Sequence, residues 1–306
     1  MGKYEKPHLS LDQQADKLIG RGMLGDREQI RGALVAVNYY RLSGYWFTFR
    51  QEDGQTFIEG TSFDDVWSRY VLDRQVRLLV MDAIERIEVA VRTCLAYHHS
   101  EKHGPFGYAE EAGSLPGMRE GKHAEFVSKI QGEYGRSKER FVKHFSTKYG
   151  ESHGHLPLWI AVELMSFGNM LTLFNGVHRW MRLQVANMFR VSEPVMRSWL
   201  IVLNMIRNIC AHHGRLWNRQ LGIRPYIPRV RPRAPTYREW HEPVRVGNER
   251  LFTVLTICQH CLRQVAPNSK WQGRMERLLA PMPPTMLASM GFPSDWQKCP
   301  IWQRPS

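Results

Sequence analysis

The chain has no apolar run approaching the roughly 18 residues that a membrane-crossing helix requires. Its first ten residues, MGKYEKPHLS, lack the apolar core of a secretory leader. Gly2 is followed at position 6 by Lys6, where a myristoylation signal needs Ser or Thr. Only five cysteines occur among the 306 residues, an odd and scattered set of Cys94, Cys210, Cys258, Cys261 and Cys299. That excludes a disulfide framework and leads us to expect a reduced, cytoplasmic setting with no membrane partner. There is no Gly-rich phosphate loop of the Walker type, no nucleophile elbow around a serine, and no internal repeat. Acidic residues are also in deficit. Asp and Glu total 29 against 42 Lys and Arg, a formal charge of +13 that favours an anionic partner such as RNA, DNA or acidic lipid. With 43% hydrophobic and 23% charged residues, the chain is nevertheless globular in composition and not disordered.

What is present is helical periodicity. Residues 9–24 carry a capping serine, Ser10, then Leu11, Ala15, Leu18 and Ile19 at helical spacing, with Gly20 and Gly22 as the stop. A second helix is expected over 27–37. The aromatic segment 38–46, NYYRLSGYW, has two open readings, a surface for stacking bases and a buried packing corner. Residues 51–62 form a polar connector suited to a small hairpin. The longest helix is predicted over 63–98, with Leu72, Val76, Leu79, Val80, Ala83, Ile84, Ile87 and Val91 as its apolar stripe. Its charged pairs Asp73–Arg77 and Glu88–Arg92 lie one turn apart and are expected to support the helix weakly from a solvated face. Glu85 lies close to the apolar face and is a candidate to orient a partner across a helix contact.

Residues 101–121 read as a long Gly- and Pro-containing loop. Residues 122–149 form a basic helical stretch, either an RNA-lining surface or a solvated amphipathic helix. His153 and His155 lack the further ligands of a zinc site. Helix resumes over 157–180, where Glu163 sits inside an apolar run and is expected to have a partner, and again over 183–189. Ser192 as cap and Pro194 in the first turn then open the helix that runs into the most unusual stretch of the chain. After it, five prolines between 222 and 250 rule out continuous helix, and nine arginines between 215 and 250 face three glutamates. This segment suits phosphate contact, or a loop strapped over the helices. Residues 251–265 are helical, and Cys258-Gln259-His260-Cys261 within them looks like half a zinc set with no second half. The tail is expected to pack down as a helical cap.

The unusual stretch is 205–219, MIRNICAHHGRLWNR, which follows the apolar run Trp199-Leu200-Ile201-Val202-Leu203 and stops at Gly214. Polar, titratable groups are loaded onto the end of a helix that is otherwise built for burial, where unpartnered groups are costly. Asn208 and His212, four apart, share a face. Arg207 diverges from His212 by about 140° on an ideal helix, so a second helix, or a second copy of this one, completes the set more naturally. The residue types fit metal-free RNA cleavage. A histidine moves protons near neutral pH, an arginine stabilises charge developing at phosphorus, and RNA supplies its own 2′-OH. The alternative is structural, with Arg207 paired to Glu163 or Glu85 and His212 capping the helix.

The chain resembles the Abi-like abortive-infection proteins, the AbiD/AbiF group. The resemblance is carried, in order, by Lys6-Pro7-His8-Leu9-Ser10, Asn38-Tyr39-Tyr40-Arg41-Leu42-Ser43-Gly44-Tyr45, Asp73-Arg74, Ile84-Glu85-Arg86-Ile87-Glu88-Val89, Pro157-Leu158-Trp159, Ser166-Phe167-Gly168, Arg207-Asn208-Ile209-Cys210-Ala211-His212-His213 and Gly291-Phe292-Pro293-Ser294-Asp295-Trp296. It implies membership of the HEPN superfamily, whose active members are dimeric, metal-independent RNases with an Arg-Asn-x-x-x-His motif. On that resemblance Arg207, Asn208 and His212 are the expected catalytic set.

The expected fold is therefore mainly α, a HEPN-type helical bundle. Segment 1–62 carries the NYYRLSGY motif, 63–219 the helical core, and 220–306 a Pro/Arg-rich extension with a helical cap. The expected function is a phage-defence toxin, an endoribonuclease giving 2′,3′-cyclic phosphate and 5′-OH ends and restrained by an antitoxin RNA or protein. No cofactor or metal is expected. The expected partners are RNA and a second copy of the chain in a homodimer with a shared site. Supporting roles fall to His213, Glu163 and Glu85, and RNA contact to Arg215, Arg219, Arg224, Arg229, Arg231 and Arg233. The alternative is a non-catalytic RNA-binding protein working through an RNA–protein complex.

Overall fold

A computed structural model of the chain describes residues 3, 5, 7–230 and 237–303. Among them are 14 α-helices and no strand, so the mainly α expectation holds. None of these helices is long and apolar enough to cross a membrane. The chain divides into two compact units, Met1–Arg77 with Arg215–Trp217, and Leu78–Gly214 with Asn218–Ser306.

The first unit contains α1 (Leu11–Ile19), α2 (Arg27–Ala36), α3 (Tyr39–Trp46) and the opening turns of α4 (Phe63–His103). Local sequence explains each start. Ser10 and Gln13 exchange side chain-to-backbone hydrogen bonds in a capping box, Asp26 accepts from the Gln29 amide at 2.8 Å, and Asn38 accepts from the Tyr40 amide at 2.7 Å. The aromatic segment is thus a helix, and it buries Leu42, Tyr45 and Trp46 while leaving Tyr40 exposed. The packing reading describes Tyr45 and Trp46, whose ring meets Tyr39 edge-on at 4.9 Å. The connector folds back as a small hairpin, with Gln51 N donating to Thr56 O at 3.0 Å and Ile58 N to Phe49 O at 2.8 Å.

Asp73 organises this unit. It is only 1% exposed, and every neighbour around it is a donor. The Tyr45 hydroxyl donates to it at 2.7 Å, and the backbone amides of Leu216 and Trp217 at 3.0 and 2.6 Å. The buried Arg77 guanidinium is its ion-pair partner. This corrects the expectation of a solvated Asp73–Arg77 pair. Leu72 and Val76 flank Asp73 on the helix, and that side of α4 is packed over, so the pair goes inside with it. Burial beside the carboxylate also pushes the Tyr45 hydroxyl well above the usual phenol range.

The second unit holds the rest of α4, then α5 (Gly107–Glu110), α6 (Lys122–Arg136), α7 (Arg140–Tyr149), α8 (Leu158–Leu164), α9 (Phe167–Gly176), α10 (Arg179–Met188), α11 (Glu193–Ala211), α12 (Leu251–Val265), α13 (Trp271–Leu279) and α14 (Pro284–Ser289). Three departures from expectation have local causes. α4 continues to His103 and ends at Gly104, whose φ of +70° no longer fits a right-handed helix. The basic stretch divides at Ser137 into α6 and α7. The helix expected over 157–180 breaks at Met165, because Ser166 turns its hydroxyl to the Asn169 amide at 3.2 Å and starts α9. Ser192 does stand at the N-cap of α11, with Pro194 in the first turn, but its hydroxyl makes no capping bond.

The core of this unit is α12, buried from Leu251 through Leu262. Its polar members find partners. Thr256 accepts from Trp302 Nε1 at 3.0 Å, Gln259 donates to Gln272 at 2.6 Å, and His260 Nε2 lies 2.9 Å from Phe189 O. Cys258 and Cys261 are fully buried and their thiols are pushed up by it, as core residues and not ligands. α11 packs here through Trp199, whose ring lies 5.4 Å from His260 and 5.2 Å from Trp240. The segment after α11 straps this helix, with Trp199 Nε1 donating to Tyr226 O at 2.8 Å and Tyr226 N to Ser198 Oγ at 2.9 Å.

α4 also buries His99, 0% exposed and with neither ring nitrogen partnered. His103 lies 4.9 Å away ring to ring and stacks at 5.7 Å on His178. Burial, with the two imidazoles adding to it, lowers the His99 pKa from 6.5 to about 4.

Two outcomes are expected. Removing the carboxylate in Asp73→Ala strands Arg77 and two amides, and lowers the unfolding free energy by about 3–5 kcal/mol; a loss under about 1 kcal/mol in urea titration contradicts this account. For His99, the folded pKa lies below the unfolded value, so its stabilising contribution is complete above pH 6.5 and is lost as pH falls toward about 4. His99→Phe therefore flattens the acid limb of the stability–pH curve by about 3 kcal/mol. Parallel curves for the two proteins between those pH values rule this out.

Candidate functional site at the end of helix α11

α11 is amphipathic in an informative way. Val195, Met196, Trp199, Leu200, Val202, Leu203, Ile206 and Cys210 are buried. The other side, running through Ile201, Asn204, Met205, Asn208, Ile209 and His212, lines an open groove of about 600 Å³ that Gly214, Arg219 and Ile223 complete. Asn208 and His212 share this groove, as their spacing of four requires. Arg207 is not part of its lining. It is half-buried and feels the charge of Glu88 on α4.

The helix stops in a C-terminal motif that fixes the two histidines. His212 N donates to Asn208 O at 3.0 Å, His213 N to Cys210 O at 3.0 Å, and Gly214 N to Ile209 O at 2.7 Å. His213 occupies the left-handed position of the motif, with φ of +57°. Gly214 was expected as the stop, and its reason is different. A Cβ there would lie 2.9 Å from Ile209 Cγ2 and 3.1 Å from Ile209 O, so the position is glycine because the chain passes too close to α11. His212 and His213 are both exposed.

Glu88, not named as a site residue from sequence, lies within the field of this arginine. It ion-pairs with Arg92, whose guanidinium also donates to Met165 O. Both side chains are nearly buried, a second correction to the solvated-face reading. Burial raises the Glu88 pKa, against the opposing pull of Arg92 and Arg207. Glu85 and Glu163 are exposed and make no hydrogen bond or ion pair among the described residues. The signal was available in the helical wheel. At about 100° per residue, Glu88 lies near Ile84 and Val91 on the edge of the apolar stripe, whereas Glu85 has turned about 60° further away.

The basic residues divide. Arg219 is exposed and lines the groove. Arg215 belongs to the first unit, where its guanidinium donates to Gly44 O and lies over the Phe47 and Trp217 rings at 4.8 and 5.9 Å. Arg224 is exposed and paired with Glu249 at 2.9 Å, and Arg229 is exposed. Arg231 and Arg233 lie outside the described residues. Among the described residues no group of three or more His, Cys, Asp and Glu side chains is arranged to hold a metal ion. His153 instead stacks on Phe106 at 4.5 Å, and His155 Nδ1 meets Gln131 at 3.1 Å.

Among the described residues the protein is helical, with Asn208 and His212 in one open groove at the end of α11. The chain belongs to the Abi-like protein family, whose family model matches residues 32–218, more than half of its length and the whole of α11. That membership connects it with abortive infection, a defence against phage. No curated protein and no solved structure matches it.

The helix end generates different expectations for adjacent residues. Glycine takes the left-handed position of His213 without strain, so His213→Gly costs less stability than Gly214→Ala. Gly214→Ala forces the contact with Ile209 and lowers the melting temperature. Equal effects of the two substitutions in thermal unfolding contradict this division of roles.

Proposed function

We propose that the protein is a HEPN-type, metal-independent endoribonuclease acting in phage defence, with Arg207, Asn208 and His212 as its catalytic set. The observation that carries this reading is the sharing of one exposed groove by Asn208 and His212 at the end of a helix covered by the family match. Arg207 faces another way, so a single α11 does not gather the three groups. Two copies of the helix brought together do. The half-buried Ile201, Met205 and Ile209 and the exposed Ile223 in the same groove offer the apolar surface for such a dimer.

In this reading the RNA 2′-oxygen attacks the adjacent phosphorus while a His212 side chain takes its proton. The bond from phosphorus to the 5′-oxygen breaks, and that oxygen receives a proton from the His212 of the second copy. Arg207 stabilises the extra negative charge at phosphorus, and Asn208 orients the reacting groups. The products are a 2′,3′-cyclic phosphate and a 5′-OH. Arg219, at the rim of the groove, adds phosphate contact, and His213 is a neighbouring helper. An RNA or protein antitoxin that covers the groove restrains the activity.

The test is RNA cleavage by purified protein in EDTA. Wild type is expected to cut, and His212→Ala to lose about 10²–10⁴-fold in rate while still binding RNA. Binding by both proteins with cleavage by neither favours the non-catalytic RNA-binding reading. A monomer by light scattering at working concentration argues against the shared site.

A further inference from the structure

The second unit carries another cavity, of about 550 Å³, between α4 and α8, which the reading of α11 does not use. Ala96 and Val162, both buried, belong to its lining. So do two exposed aromatic side chains, Tyr97 at 65% and Trp159 at 51%, and two exposed carboxylates, Glu101 and Glu163. Large exposed aromatic surface is costly to leave in water unless something covers it. Trp159 is the more notable because its neighbours Pro157 and Leu158 in the same motif are buried.

The carboxylates are equally out of character. In a chain with a formal charge of +13, several acids collect cations. Glu125 holds Lys122 and Lys129, and Asp82 holds Arg86 and Arg274. Glu163 was expected to have a partner, yet it makes no hydrogen bond or ion pair among the described residues. Among the described residues Glu101 has only His98 Nδ1, at 3.6 Å. The neighbouring cation Lys102 is directed instead toward the Trp180 ring, at 5.6 Å. Two carboxylates repel phosphate, so this cavity does not suit RNA.

Aromatic faces next to carboxylates suit a guanidinium. Its flat cation stacks on the rings while its N–H groups bond a carboxylate in pairs. Along α4 the exposed Thr93 and Val89 follow Tyr97 at intervals of four, so the cavity continues into a strip that chain on either side of the cation can lie along. We propose that this cavity docks a protein partner by receiving an arginine side chain from one of its segments, between Tyr97 and Trp159 and against Glu101 and Glu163. The site is independent of the α11 reading and stands whether or not the protein cleaves RNA.

The test titrates the full chain, by calorimetry at low salt, with a blocked pentapeptide bearing one arginine among alanines and leucines. The same peptide with neutral citrulline in place of arginine, and free spermidine, are the controls. The arginine peptide is expected to bind at least about tenfold more tightly than the citrulline peptide, and to weaken with added salt. The double substitution E101Q/E163Q, at exposed positions, is expected to lose about tenfold in affinity with an unchanged thermal melt, and W159L severalfold. Equal binding of the citrulline peptide, equal binding by E101Q/E163Q, or no arginine-peptide binding up to millimolar concentration overturns the proposal. Spermidine binding as tightly as the peptide also overturns it, because the cavity is then a site for free small cations.

Discussion

A single buried carboxylate governs the first unit. A charge taken out of water is tolerable only when donors surround it, and Asp73 meets that demand with a hydroxyl, a guanidinium and two backbone amides. These donors come from three pieces of chain. Satisfying Asp73 therefore fixes α3 through Tyr45, the opening of α4 through Arg77, and the segment Arg215–Trp217 through its backbone. The aromatic rings around it, such as Tyr45 stacked at 6.3 Å on Trp217, fill the space that this geometry leaves. Hydrophobic burial supplies the driving force, but the directional bonds select one arrangement from many.

In the second unit the constraint is the end of a helix. The last carbonyls of α11 need donors, and the chain supplies them by turning back through His213 and Gly214. That turn holds His212 at the rim of the groove with Asn208. Arg207, one position earlier, falls on another side and lies within reach of the field of Glu88, itself bound to Arg92. Polar groups on one short stretch are thus divided between an open surface and a nearly buried ion-pair network.

Much of this was legible in the sequence because it depends on local chemistry. Ser10 and Asn38 start helices through bonds to amides two or three residues on, and the spacing of apolar residues marked the side of α4 that is buried from Leu72 and Val76 to Ile87 and Val91. The alignment of Asn208 with His212, and the divergence of Arg207, follow from 100° per residue alone. What escaped depends on which face of a helix is covered. Asp73–Arg77 has the same spacing as a solvated pair, and only tertiary packing distinguishes it, whereas Glu88 also shows on the helical wheel at the edge of the apolar stripe. The break at Met165 was obscured because Leu164, Met165 and Phe167 continue an apolar pattern through it, leaving the Ser166 hydroxyl and Gly168 as the local signs. A histidine in the left-handed position of a helix end has no sequence signature at all, and the adjacent glycine drew attention to the wrong residue.

The discontinuity of the first unit has a consequence for the order in which the molecule can be built. The amides of Leu216 and Trp217 reach Asp73 across 143 and 144 residues of chain, far from the short-range contacts that let helical proteins fold quickly. During synthesis the N-terminal helices emerge first, but Asp73 lacks two of its donors until residue 217 has been made. A chain interrupted within α11 leaves that carboxylate incompletely satisfied and its unit loose. Maturation of the N-terminal portion is in this way made conditional on translation having passed through Arg207, Asn208 and His212.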